Sequence, residues 1–240
     1  MMSKHIFSDV NSLVQALSDQ LLRLSQRPEL VHIALSGGST PKAWFSYMAI
    51  SSYREQVNWK NIHFWWVDER CVPAQHDQSN YGEAERLFLS KVLVPKENLH
   101  PIAYHSDAQT MLEKYQAEMS LYFPNTPRAI SFDWILLGAG EDGHTASLFP
   151  GAADYSFIDS ALIAKHPDTQ QQRISLSAHT IKQAKRMSYV ITGEGKAEIC
   201  KRVIDDAENN LSFPAAKIRS EQGVTDWFLD ESAAALLSKD

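Results

Sequence analysis

The stretch FDWILLGAGEDGHTASLFPG, Phe132 to Gly151, opens as a strand and continues as a loop. Its first residues, Phe132 to Leu137, are nearly all apolar, as a strand buried on both faces of a parallel sheet requires. Gly138, Gly140 and Gly143 then spell G-x-G-x-x-G, the pattern of a dinucleotide-binding turn. That reading needs a helix opening at the glycines, with a pyrophosphate on its N-terminus. It also needs an acidic residue about 20 positions on, at the end of the next strand. Pro150 and Gly151 leave only His144 to Phe149 for a helix, and no strand ends at Asp159. The pattern also lies mid-chain, without a βαβ unit around it. The loop therefore reads as a tight turn that carries Asp142 and His144, and a nicotinamide site is disfavoured.

Outward from this strand, the chain alternates strand and helix signals. Val10, Leu13, Val14, Leu17, Leu21 and Leu24 recur at helical spacing and predict a helix over Asp9 to Ser25. Strands are expected at Val31–Leu35, Asn61–Val67, Phe132–Leu137, Arg173–Ser177, Arg186–Thr192 and Thr225–Asp230. Tyr81, Ala84, Phe88 and Val92 mark one helix; Leu112, Tyr115, Met119 and Tyr122 mark another. KAEICKRVID and an Ala-rich closing segment, ESAAALL, read as helices. The alternation predicts an α/β fold: a Rossmann-like three-layer sandwich with a mainly parallel sheet and helices on both faces. The irregular run Pro150 to Gln172 is too short to separate domains, so residues 1–240 are expected to form a single domain.

Composition narrows the function. The chain has 240 residues, 44% of them hydrophobic, and a net charge of −6. It holds no Lys/Arg block, which argues against a nucleic-acid surface. A few local cations can still hold a phosphate against an acidic background. Cys71 and Cys200 form no C-x-x-C and no Cys/His cluster with zinc spacing, so neither a metal nor another cofactor is expected. The absence of a signal-peptide core and of an apolar run of about 18 residues predicts a cytoplasmic protein without a membrane span.

In an open parallel sheet, ligands bind beyond the carboxyl ends of the strands. SGGSTP, DER, GAGEDGH and TGEGK each follow an expected strand, so they converge on one edge. Gly37 and Gly38 admit close backbone approach, and the helix start at Ser39 and Thr40 offers N–H groups to an anion or a hydroxyl. Capping by Ser39 or Thr40 is the plainer account of that turn. Arg70 suits a phosphate, and Asp68 and Glu69 suit hydroxyls or the orientation of neighbours. His144 is a residue type that takes up a proton near neutral pH, and Asp142 stands close enough in sequence to orient it. Lys196 at a helix start opposes the helix dipole, which points to another use. Arg173 opens its strand, so the carboxyl-end rule does not bring it to the site.

Taken together, LSGGSTPKAWF, VDERCVP, SNYGEAERLFL, LLGAGEDGHTASLFPG, RISLSAHTI, VITGEGKAEI, FPAAKI and WFLDESAAALL resemble the 6-phosphogluconolactonase family, in order along nearly the whole chain. Ala139 and Ala216 are small departures from it. The superfamily also holds glucosamine-6-phosphate deaminases, which continue the D-G-H segment as H-I-A-F-N-E-P where this chain has HTASLFP. The resemblance implies hydrolysis of 6-phospho-D-glucono-1,5-lactone in the pentose phosphate pathway, without a cofactor. It implies His144 as general base with Asp142 beside it. It implies substrate or phosphate contacts from Gly37, Gly38, Ser39, Thr40, Asp68, Arg70, Asn80, Gly140, Arg173 and Lys196. An amino-sugar-phosphate deaminase or a non-catalytic sugar-phosphate sensor are the alternatives.

Overall fold

The computed structural model describes residues 2–123 and 130–238. Its elements run β1 (Met2–Phe7), α1 (Val10–Ser25), β2 (Val31–Leu35), α2 (Ser39–Ile50), α3 (Tyr53–Gln56), β3 (Ile62–Trp66), β4 (Asp68–Arg70) and α4 (Asn80–Leu87). The chain continues through β5 (Leu99–His100), α5 (Ala108–Tyr122), β6 (Trp134–Leu137), β7 (Ala161–Lys165), β8 (Gln172–Leu176) and α6 (Ala178–Lys182). It ends with β9 (Arg186–Ile191), α7 (Ala197–Ile204), α8 (Pro214–Lys217) and β10 (Val224–Asp230).

Seven strands form one sheet in the order β1-β10-β9-β6-β2-β3-β5. Every pairing in it is parallel. With the helices packed around it, this is the expected three-layer α/β sandwich. The central strands β3 and β6 are buried at every position, which is why they read as unbroken apolar runs. Trp44, Trp65, Trp134 and Trp227 are fully buried. Trp44 and Trp134 give their indole N–H groups to Ser18 and Ser188 at 3.1 and 2.8 Å, so these two rings enter the core without stranding a donor, whereas the Trp227 N–H is buried without a hydrogen-bond partner.

The sheet order carries a switch. From β2 the chain moves to β3 and β5 on one side, then returns to β6 on the other. The loops leaving β2 and β6 therefore part company and open a crevice at the carboxyl ends of these two neighbours.

A second sheet, β4-β8-β7, is antiparallel. Val67 joins the two sheets: its N–H donates to Leu35 O at 2.9 Å and its carbonyl accepts from Leu176 N at 2.7 Å. The strand expected at Arg173–Ser177 thus belongs to this small sheet, where Arg70 pairs with Arg173. Its other partner, β7, lies inside the run Pro150 to Gln172 that reads as irregular from sequence.

Three local expectations are corrected. The ESAAALL segment forms turns, not a helix. Asp230 accepts the Ala233 N–H at 2.8 Å as an N-cap would, and Ala234 N donates to Asp230 O at 3.0 Å, but the Ala235 and Leu237 N–H groups reach back only three residues, so the helical ladder does not continue. The helix marked by Tyr81 to Val92 ends at Leu87, and Phe88 leaves helical geometry at φ −137° and ψ −62°. Neither Ser39 nor Thr40 caps α2: its N-cap is Gly38, at φ +117°, with no side-chain bond.

Candidate functional site

The crevice at the sheet switch is a cleft of about 290 Å³. It is lined by Gly37, Gly38, Ser39 and Thr40 after β2, by Gly138 to Gly140 after β6, and by Thr192 and Lys196 after β9. Asp68, Arg70, Asn80, His144 and Arg173 add polar and charged groups to its wall. Asp142 lies outside the lining and reaches the cleft through His144. The carboxyl-end rule gathers most of these groups. Arg173 arrives by another route: β8 runs antiparallel to β4, so its first residues meet the last residue of β4 at the cleft.

The three glycines of the quoted loop have separate uses, none of them a helix start. Gly138 O accepts the Thr145 hydroxyl at 2.8 Å. A Cβ on Gly140 would fall 2.1 Å from His144 Nδ1, so only glycine leaves room for the imidazole. Gly143 takes φ +84° and lies against Phe213. The Gly140 N–H donates to His144 O, and the Gly143 N–H donates to Gly140 O, both at 2.9 Å. No helix opens anywhere in the segment, which removes the dinucleotide reading on structural grounds.

His144 Nδ1 lies 2.5 Å from Asp142 Oδ1, and the His144 N–H donates to the same oxygen at 3.1 Å. Burial alone would raise the Asp142 pKa, but the charge and hydrogen bonds of His144 outweigh it and hold the carboxyl below its ordinary value. A carboxylate on Nδ1 fixes the imidazole with its proton there and its Nε2 lone pair free. Phe149, 2% exposed, packs its ring 5.0 Å from the imidazole, and the Arg173 guanidinium lies 5.6 Å from the same ring.

The cations are held by their surroundings, and none is paired with a carboxylate among the described residues. Arg70 Nη1 donates to Gln78 O at 2.6 Å. Lys196 Nζ donates to Ala139 O at 3.1 Å. Nε of both Arg70 and Arg173 is buried without a protein partner. Burial lowers the Arg173 pKa, Asp68 opposes this, and Arg70 reinforces it. Two guanidiniums on paired strands, with donors unspent, are a chemical match for a multivalent oxyanion.

Asn80 is tied into this wall. Its Nδ2 donates to Asp68 O at 2.9 Å, and a Cβ on Gly37 would fall 1.9 Å from its Oδ1. Glu69, expected either to bind hydroxyls or to orient its neighbours, does the second. It accepts N–H groups from Arg70, Asn80 and Tyr81 and the Ser79 hydroxyl, all at 2.8 to 3.0 Å, and so anchors the start of α4. Two groups escaped the sequence reading. Thr192 shares a hydroxyl bond of 2.8 Å with Thr40, joining β9 to α2. Ser147 donates to Asp68 Oδ2 at 2.6 Å. Its signal was a polar residue within the otherwise apolar ASLFP.

With this geometry in place, comparison with known proteins gives the family. Residues 8–227 match the family described as glucosamine-6-phosphate isomerases/6-phosphogluconolactonase, and the chain belongs to it. A 6-phosphogluconolactonase of Haemophilus influenzae is 46% identical over 231 residues, covering 96% of this chain and 98% of that protein. One of Aggregatibacter actinomycetemcomitans is 45% identical with the same coverage. A crystal structure described as that of the devB protein is 45% identical and superposes with a TM-score of 0.95, covering 99% of this chain and 100% of the other.

Proposed function

We propose that this protein hydrolyses 6-phospho-D-glucono-1,5-lactone to 6-phospho-D-gluconate in the oxidative pentose phosphate pathway. The observation that carries the reading is the meeting, in one cleft, of the Asp142-backed His144 with Arg70, Arg173 and Lys196. The family match and the names of the relatives support the same substrate.

In this scheme Arg70, Arg173 and Lys196 grip the phosphate and present C1 of the lactone to His144. Nε2 takes a proton as water attacks C1, and Asp142 stabilises the imidazolium that results. The carbonyl becomes a tetrahedral oxyanion. As it collapses, the C1–O5 bond breaks and the imidazolium returns its proton to O5. A base of this kind contributes about 10²–10⁴-fold. The oxyanion is met at the start of α2, where N–H groups carry no side-chain cap. The rival GAGEDG loop uses the Gly140 and Gly143 N–H groups internally.

The family description includes an isomerase, so the substrate needs a direct test. Lactone is generated with glucose-6-phosphate dehydrogenase and its loss is followed with and without the protein, after subtracting spontaneous hydrolysis. Accelerated loss is expected. His144→Ala lowers kcat by about 10²–10⁴-fold while substrate affinity is largely kept. A fully active His144→Ala protein would refute the base assignment. Ammonia released from glucosamine 6-phosphate, with no effect on the lactone, would overturn the reaction.

A further inference from the structure

Ser147 takes no part in the scheme above, yet it stands between two charges of the cleft. Its side chain is buried, at 1% exposure. Its hydroxyl donates to Asp68 Oδ2 at 2.6 Å and accepts from Arg173 Nη1 at 3.5 Å. The carboxylate and the guanidinium thus meet through an uncharged oxygen.

The backbone fixes that oxygen firmly. Ala146 adopts φ +53°, an uncommon conformation for a residue with a side chain. Leu148 N donates to Thr145 O at 3.0 Å, closing a tight turn. The Ser147 N–H is received by Ser175 Oγ at 3.3 Å, and Ser175 is the β8 partner of Asp68. Ser147 is therefore clamped between β4 and β8 at the level of Asp68.

A carboxylate in direct contact with an arginine takes two parallel donors and consumes its fork. Here the fork is not consumed: Arg173 Nε has no protein partner, and Nη1 makes one long bond. We propose that Ser147 is a positioning residue whose hydroxyl holds the Asp68 carboxylate off Arg173, so that the guanidinium stays available to the substrate phosphate. This rests on the assignment of Arg173 to the phosphate in the reaction above. It makes Ser147 a determinant of selectivity for phosphorylated over unphosphorylated substrate.

Ser147→Ala frees the carboxylate, and Arg173 is the cation it finds. Binding of 6-phosphogluconate and of inorganic phosphate, measured by calorimetry, weakens about 10-fold, the share of one charge-assisted hydrogen bond. Binding of gluconate is unchanged. In turnover, KM for the phosphorylated lactone rises about 10-fold while kcat holds within a few-fold. Ser147→Cys, which keeps the volume but hydrogen-bonds weakly, follows Ser147→Ala, separating the hydroxyl from packing. Asp68→Asn gives a second arm. It restores phosphate affinity in the Ser147→Ala background and changes it far less when Ser147 is present. Equal weakening for gluconate and 6-phosphogluconate, or an equal effect of Asp68→Asn in both backgrounds, overturns the proposal. The phosphate measurements need no turnover, so a protein inert towards the lactone would sink the reaction and leave this cycle to be judged separately.

Discussion

A Cβ added to Gly140 would stand 2.1 Å from His144 Nδ1 and 2.5 Å from Asp142 Oδ1. Its backbone, unlike that of Gly143, is not in the positive-φ region, so alanine is sterically costly only through the His–Asp pair. Gly140→Ala is therefore expected to fold with unchanged or slightly higher stability, by up to about 1 kcal/mol, because the unfolded chain loses freedom. Turnover is expected to fall about 10²-fold as the imidazole is displaced from Asp142. Thermal melts and steady-state kinetics on one preparation check both halves. Loss of stability in parallel with activity would show that the clash is relieved by the backbone instead. The importance of this glycine is visible in sequence only as part of a misleading pattern. What the pattern hides is that the three glycines serve a hydroxyl, an imidazole and a phenyl ring in turn.

At the level of elements, α4 begins where Glu69 receives three backbone N–H groups and the Ser79 hydroxyl. Burial raises the Glu69 pKa, and these bonds, led by the Tyr81 N–H, oppose it. An amide in that place has one acceptor oxygen and turns an N–H₂ toward donors. Glu69→Gln is expected to lose about 1–3 kcal/mol, read from urea denaturation. Because α4 carries Asn80 into the cleft wall, KM should rise as well. A variant of wild-type stability would mean that the start of α4 is held by Ser79 alone. Elements buried on both faces were the legible ones: β2, β3 and β6 read as mostly apolar runs, and β9 and β10 as β-rich runs broken by a few polar residues. β1, with the sequence MSKHIF, has an exposed edge and shows no such run. β7 and β8 pair outside the main sheet, so the rule that gathered the other site residues passed over Arg173. The Ala-rich tail has helical propensity and an N-cap at Asp230, but after Ala234 its N–H groups reach back only three residues and it closes as turns.

Across the whole molecule, the end of the sheet distant from β1 encloses a histidine cluster. His63 Nδ1 lies 2.9 Å from His100 Nε2, and His100 Nδ1 lies 2.8 Å from Glu118 Oε1. The rings of His32 and His63 are 5.0 Å apart, and Trp65 donates to His32 Nδ1 at 3.1 Å. Burial, then the proximity of His63, brings the His32 pKa down to about 4, against the pull of Asp133. Burial, then His100, brings His63 down to about 4, against Glu97. Burial also lowers His100, and Glu118 opposes it. With pKa values of about 4, His32 and His63 stay neutral in the folded protein at neutral pH, whereas in the unfolded chain they take up protons near pH 6.5. The unfolded state therefore binds more protons below that value. Stability is complete above about pH 6.5 and is lost as pH falls towards 4. The melting temperature is expected to drop between pH 6.5 and 5, above the ordinary carboxylate range, and to drop less in His63→Gln. A flat profile over that interval would exclude the cluster as the cause.

The pairing of β1 with β10 sets an order of events during synthesis. Met2 aligns with Thr225 and Phe7 with Asp230, and Glu231 N closes the pair on Phe7 O at 2.9 Å. β1 leaves the ribosome about 220 residues ahead of its hydrogen-bonding partner, β10. Closing a loop of that length delays the contact, whereas β2 and β3 find each other early. Until β10 arrives, β1 has no sheet to join and β9 keeps an open edge, which a chaperone or a neighbouring chain can meet first. In pulsed hydrogen exchange during refolding, the amides shared by β1 and β10 should be among the last to gain protection, and early protection there would refute this order.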